Sequence, residues 1–242
     1  MKLIVDIGNT LVKIALFDKN NEIAFHGFDL GELDSIGKTI NKYSEISCCW
    51  LATVRELPED LLKALPAKVP VYQLSYLTPL PFKLNYETIE TLGSDRIAGV
   101  AAAYGRFPKK NVLIIDMGTC ITYDILTRFG IYEGGGISPG IRLRFMSMHH
   151  FTGQLPLANA VEKAALVGKT TTGSLQSGVL NGVQSEIMGI INQYEAHYED
   201  LTVLIGGGDN KYFDKQLKNN IFAASNLVIE GLKVISDFNE YQ

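Results

Sequence analysis

Short apolar runs alternate along the chain with amphipathic stretches, and one pattern occurs twice. Leu3-Ile4-Val5-Asp6-Ile7-Gly8-Asn9-Thr10 and Leu113-Ile114-Ile115-Asp116-Met117-Gly118-Thr119-Cys120 lie 110 residues apart. Each is an apolar run, then Asp-x-Gly, then small polar residues, then a second apolar run at 11–17 or 121–126. This predicts a strand, a tight turn and a second strand in both places. Apolar spacing predicts helices at 34–43, 59–65, 95–104, 141–148, 175–194, 211–216 and 227–238. It predicts further strands at 48–54, 69–74 and 201–205. The glycine-rich run Gly134-Gly135-Gly136-Ile137-Ser138-Pro139-Gly140 predicts a loop, because so many glycines and a proline punctuate regular structure.

Strands alternating with helices, opened twice by the same unit, predict an α/β chain of two similar halves with a central cleft. The division is expected near Arg106-Phe107-Pro108-Lys109-Lys110, giving halves at 1–106 and 107–242. A length of 242 residues suits one large domain or two smaller ones.

Composition narrows the function classes. A net charge of −4 and the absence of a Lys/Arg block leave out the footprint of a dedicated nucleic-acid binder. Asp6 interrupts the first apolar run too early for a signal peptide, and no run approaches the ~20 residues of a membrane span. The three cysteines, Cys48, Cys49 and Cys120, are too few and badly spaced for a disulfide framework. The expected setting is a reducing cytoplasm.

The repeated turn carries the first chemical argument. Phosphate groups need N–H and short hydroxyl donors at close range, and Asp6-x-Gly8-Asn9-Thr10 and Asp116-x-Gly118-Thr119 supply both. An aspartate beside phosphates implies a cation between them, at Asp6 and at Asp116. Lys13 is near enough in sequence to add a point charge. Each turn taken alone also fits an ordinary hairpin; two copies facing a cleft favour the phosphate reading. Gly93-Ser94-Asp95-Arg96 opens a predicted helix. There Asp95 is either a first-turn acid or a base that takes a proton from an attacking hydroxyl, and Arg96 is either solvated or turned toward an anion. The run 134–140 either closes over a substrate or makes a tight crossing. Gly206-Gly207-Gly208-Asp209 ends a strand where an adenosine could lie against bare backbone. No Gly-x-x-x-x-Gly-Lys-[Ser/Thr] run occurs, so the phosphate site is not a P-loop.

The order of these pieces resembles the type III pantothenate kinases, a family of the acetate and sugar kinase/Hsp70/actin superfamily. The resemblance runs nearly end to end. It covers Asp6-Ile7-Gly8-Asn9-Thr10 with Lys13, Tyr86 ahead of Gly93-Ser94-Asp95-Arg96, and Asp116-Met117-Gly118-Thr119. It continues through 134–140, Thr152-Gly153-Gln154-Leu155-Pro156, Thr171-Thr172-Gly173-Ser174 and Gly207-Gly208-Asp209. The resemblance implies a duplicated actin/ribonuclease H-like kinase fold and ATP-dependent phosphorylation of pantothenate, the first step of coenzyme A synthesis. It implies that Asp6, Gly8, Asn9, Thr10, Lys13, Gly118 and Thr119 meet ATP, with Asp6 near Mg²⁺, in places through water. Asp95 would be the general base; Tyr86, Gly93, Ser94, Asp95, Arg96 and Thr171 would contact pantothenate. Asp116 would hold a monovalent cation, K⁺ or NH₄⁺, and the chain would form a homodimer without nucleic acid or membrane partners. Two other readings stay open on sequence grounds: a kinase of the same fold for another small alcohol, and a nucleotide-binding regulator.

Overall fold

A computed structural model of the chain describes residues 1–43, 45–56, 63, 65, 69–212 and 220–240, with the side chains of 33 and 34 excepted. The chain forms two compact units, one of residues 1–106 with 227–242, the other of 107–226.

The first unit opens with β1 (Lys2–Ile7), β2 (Leu11–Asp18) and β3 (Asn21–Asp29), then α1 (Leu33–Ile40), β4 (Cys48–Thr53) and β5 (Val71–Gln73). A two-residue strand β6 (Lys83–Leu84), a 3₁₀ turn at Ile89–Thr91 and helix α2 (Ser94–Arg106) follow. The strands lie in the order β3-β2-β1-β4-β5, with β1 antiparallel to β2 and parallel to β4. Alternation in β1 sorts its side chains by face. Leu3, Val5 and Ile7 join Ile36 and Ile40 of α1 in one core cluster. Lys2, Ile4 and Asp6 belong to the other face, where helix α5 (Leu227–Glu240) packs.

The second unit repeats this plan with β7 (Val112–Met117), β8 (Cys120–Leu126), β9 (Ile131–Pro139), α3 (Ile141–Phe151), α4 (Thr171–His197), β10 (Thr202–Gly206) and β11 (Ile221–Ala223). Within the unit the order β9-β8-β7-β10-β11 matches β3-β2-β1-β4-β5 position for position. β1 and β7 even share one burial pattern, fully buried except for a half-buried aspartate at the fifth residue. Leu113, Ile115 and Met117 pack on Val179, Val183 and Ile187 of α4.

Four features depart from the sequence expectation. The run 134–140, expected as a loop, is mostly strand, since β9 extends to Pro139. Its glycines permit pairing rather than prevent it, because a Cβ on Gly135 would fall 1.6 Å from Tyr123 O of the neighbouring strand. Strand β3 was not anticipated; its edge position leaves it half-exposed and without a clean apolar run. Helix α4 begins at Thr171 rather than 175, because Thr170 Oγ1 accepts the Gly173 N–H at 3.0 Å and caps it. Finally α5 (Leu227–Glu240), grouped with the second half on sequence grounds, packs on α2 and β1 in the first unit. The helices expected at 59–65 and 211–216 lie for the most part outside the described residues; Gly208–Tyr212 is a 3₁₀ turn. Among the described residues no helix is long and apolar enough to cross a membrane.

Candidate active site

β1 and β4 run parallel, so they end at one edge of their sheet, and the first Asp-x-Gly turn starts there. Ile7 is in register with Thr53 at this edge. Thr53 fixes the start of α2: its N–H donates to Ser94 Oγ at 3.1 Å, and Ser94 Oγ donates to Thr53 O at 2.9 Å. The motif Gly93-Ser94-Asp95-Arg96 is thereby held at the carboxyl ends of the strands, the usual ligand side of an open α/β sheet. Ser94, expected to touch substrate, is buried with its hydroxyl occupied by this tie. Asp95 Oδ1 accepts the Arg96 N–H at 2.8 Å. Burial pushes the Asp95 carboxyl up from its ordinary 3.8, against the lowering effect of the Arg96 N–H and guanidinium. Arg96 is itself buried and lies over the Tyr86 ring, 5.7 Å from its centroid. Structure thus brings Tyr86 against Arg96, the chain neighbour of Asp95.

In the turn beside them, the Gly8 N–H donates to Leu11 O at 3.0 Å. Asn9 and Thr10 are exposed, and Asp6 is the register partner of Lys13 on β2. The turn of the second unit is one residue shorter, with Gly118 and Thr119 alone between β7 and β8. Gly118 N–H donates to Cys120 O at 3.0 Å. Neither glycine has a positive φ, and an added Cβ would make only ordinary or slightly tight contacts, 3.3 Å at Gly8 and 3.6 Å at Gly118. Packing therefore does not demand a bare backbone at either position.

Two further glycines close around the second turn. The Gly140 N–H, at the start of α3, donates to Thr119 O at 3.0 Å. Gly207, directly after β10, has φ +90°, and a Cβ there would sit 2.3 Å from Met117 O. Asp116 is in register with Thr122 on one side and Gly206 on the other. Asp209 follows on the 3₁₀ turn, its carboxyl raised by burial.

Thr171, the remaining sequence-predicted contact, stands in the first turn of α4 and lines a cavity of about 520 Å³ between α3 and α4. Arg144 lines the same cavity and was not singled out by sequence. Its Nη2 donates to Glu186 Oε2 at 2.5 Å and its Nε to Pro139 O at 2.8 Å. Glu186 Oε1 accepts Tyr123 OH at 2.8 Å and Ser138 Oγ at 2.5 Å. Burial pushes Glu186 up, but the hydrogen bonds from Ser138, Arg144 and Tyr123 outweigh it and hold the carboxyl below its ordinary 4.5.

A sequence profile of the type III pantothenate kinases matches residues 2–193. The type III pantothenate kinase of Christiangramia forsetii is 44% identical over 243 residues, covering all of both chains. The chain belongs to the type III pantothenate kinases. It is a kinase of pantothenate on the route to coenzyme A. Among solved structures, a conserved protein of Campylobacter jejuni described as a Baf family transcriptional activator has a TM-score of 0.64 at 22% identity, over 99% of this chain and 100% of that one. The activator of 2-hydroxyisocaproyl-CoA dehydratase from Clostridium difficile, with bound ADPNP, has a TM-score of 0.54 at 12% identity, over 99% and 94%. These likenesses are of fold, and the fold is the duplicated actin-like α/β fold.

Proposed function

We propose that this kinase transfers the γ-phosphoryl group of Mg-ATP to the 4′-hydroxyl of pantothenate, giving 4′-phosphopantothenate, with Asp95 as general base. The observation that carries the role of Asp95 is its setting. It is a half-buried carboxyl with a raised pKa at the start of α2, next to Ser94, which is tied to the strand edge from which the first Asp-x-Gly turn springs. Phosphoryl transfer asks little covalent chemistry of the protein. Asp95 accepts the hydroxyl proton and aims the oxygen. Arg96, desolvated and braced by Tyr86, presents a fixed cation to the anionic partners. In this reading, as the family resemblance implies, Asn9, Thr10, Lys13, Gly118 and Thr119 supply donors and positive charge to the ATP phosphates.

Asp6 and Asp116 suit the implied cations. Each is a single half-buried carboxylate at the end of a strand, and among the described residues no group of three or more His, Cys, Asp or Glu could hold a metal alone. That donor set fits Mg²⁺, which takes a carboxylate or two and completes its shell with phosphate and water. Asp6 would serve Mg²⁺, and Asp116 with neighbouring backbone carbonyls would serve K⁺ or NH₄⁺. Bound there, the cations would neutralise charge on the transferring group. Gly93, Tyr86 and Thr171 complete the acceptor contacts in this reading. A homodimer is part of it, supported by strongly exposed apolar side chains at Phe151, Leu166 and Val167. A cytoplasmic setting accords with three free cysteines.

The test is ATP consumption with pantothenate and Mg²⁺ in potassium and in sodium, the product identified by mass. Phosphopantothenate formed with K⁺ but not Na⁺ supports both the transfer and the cation at Asp116. Asp95→Asn is expected to lose about 10²- to 10⁴-fold in kcat with ATP binding retained; a loss under about threefold would remove Asp95 from its role.

A further inference from the structure

The second Asp-x-Gly turn leans on the end of β9. Gly140 follows that strand, and its N–H donates to Thr119 O at 3.0 Å. The approach is close enough that a Cβ on Gly140 would fall 2.3 Å from Gly118 O and 2.5 Å from Thr119 O. The sheet alone secures this strand end poorly. Its last register pair is Cys120 with Pro139, and a proline has no N–H to give to the ladder. Side chains supply what the ladder lacks. Arg144 Nε donates to Pro139 O at 2.8 Å, and its Nη2 donates to Glu186 Oε2 at 2.5 Å. Glu186 Oε1 accepts the Ser138 hydroxyl at 2.5 Å and the Tyr123 hydroxyl at 2.8 Å. One carboxylate of α4 thus gathers a donor from β8, one from β9 and one from α3. Three consecutive residues are tied as a result: Ser138 through its hydroxyl, Pro139 through its carbonyl and Gly140 through its N–H.

We infer that Glu186, acting through Arg144 and Ser138, positions the second Asp-x-Gly turn for the nucleotide phosphates. Glu186 is a positioning residue: it works on the strand end, and the strand end works on the turn. The inference rests on the reading that Gly118 and Thr119 meet the ATP phosphates. Donors that stand in place before ATP arrives spare the ordering cost that a loose turn would take out of the binding energy. The whole run of contacts, from α4 to the turn, lies within the second unit. An ionised carboxylate is the group this place asks for, since three donors converge on it and it has none of its own to set against them. Glutamine has the same size but carries an NH₂ group, which would face one of those donors. The cavity beside Thr171 is lined by Arg144 and not by Glu186, so a change at Glu186 leaves that wall in place.

Titration of Mg-ATP onto the enzyme without pantothenate, together with steady-state KM values for both substrates, tests this. For Glu186→Gln the Kd and KM for ATP are expected to rise ~5- to 20-fold, the scale of one lost hydrogen bond. The KM for pantothenate should stay within about twofold, a split that a general loosening of the fold would not produce. Ser138→Ala cuts a single bond of the network and should weaken ATP binding by about two- to fivefold. It carries the test where Glu186→Gln folds poorly. Unchanged ATP binding in both variants, or equal rises in the two KM values, overturns the role of Glu186. Thr119→Val, measured in parallel, keeps that result apart from a failure of the underlying reading, because it removes the hydroxyl of the turn itself. If Thr119→Val binds Mg-ATP as wild type does, the turn is removed from the phosphates, and the inference falls with that reading.

Discussion

Asp95 is where opposing electrostatic influences meet on one carboxyl. Burial raises its pKa, and the Arg96 N–H and guanidinium pull it back. In its proposed role as general base Asp95 works only when ionised, so activity should fall as pH drops through that raised value. The acid limb of kcat/KM, which reports the free enzyme, is therefore expected above 3.8 and should be absent from the residual activity of Asp95→Asn. Arg96→Met removes a lowering influence and should move the limb to higher pH. A limb that stays in place in that variant, measured across pH 4 to 8 in a buffer of constant ionic strength, would show that Arg96 does not tune the base. Asp6, Asp95 and Asp116 could be proposed from the sequence because the groups on which that reading rests are chain neighbours: a glycine, a hydroxyl, an arginine next door. Arg144 and Glu186 could not, since 42 residues separate two partners that only the packing of α3 and α4 on β8 and β9 unites. The occupied hydroxyl of Ser94 was hidden in the same way, its partner Thr53 lying 41 residues earlier at the end of strand β4.

At the scale of elements, the repeat is readable because strand-turn-strand is local. The matching orders β3-β2-β1-β4-β5 and β9-β8-β7-β10-β11 follow from parallel crossovers that no local pattern reports. Glycine is the residue type most easily misread at this scale. In 134–140 it suggested a loop, yet Gly135 is what lets β9 lie against β8. In 206–208 three consecutive glycines look equivalent, and the structure separates them. Gly207 needs its positive φ and has Met117 backbone atoms within 2.4 Å of where a Cβ would be, whereas Gly208 has open space. Gly207→Ala is expected to cost about 1–3 kcal/mol through strain and clash, a fall of roughly 2–12 °C in Tm for a chain of this size. On the proposed role of Gly118 and Thr119 at the ATP phosphates it should also weaken ATP binding, because Met117 leads directly into them. Gly208→Ala should leave Tm within about 1 °C, being an open site with no such strain. Thermal melts and ATP titrations of the two variants side by side would decide it; equal Tm values would mean that the strand β10 end relaxes freely around the new methyl group.

For the whole molecule, the informative fact is that the two ends of the chain meet in one unit. Lys2 on β1 is buried, and its Nζ lies 2.5 Å from Asp237 and 2.8 Å from Glu240 of α5. Lys233 reaches the other oxygen of Asp237 at 2.5 Å, and the wholly buried Ser236 accepts from Lys2 at 3.4 Å. Sequence grouped α5 with the second half because chain order is the only guide to membership when helix contacts are unseen. Burial opposes the charge on Lys2, yet the bonds and charges of Asp237 and Glu240 prevail and raise its pKa above 10.5. A raised lysine stabilises the fold fully below its unfolded pKa and loses that contribution as pH climbs through the folded value. Lys2→Met should therefore be less stable than wild type at pH 7, and the gap should narrow as pH rises beyond about 10.5. Lys2 is buried but its partners are partly exposed, so the cost falls between that of a surface pair and that of a fully buried one, about 2 kcal/mol. Denaturant melts of both proteins at pH 7 and pH 11 measure the gap. If it is the same at both, Lys2 contributes through its methylene packing alone, and the attachment of α5 to the first unit rests on its apolar face: Leu227, Leu232 and Ile235, all buried.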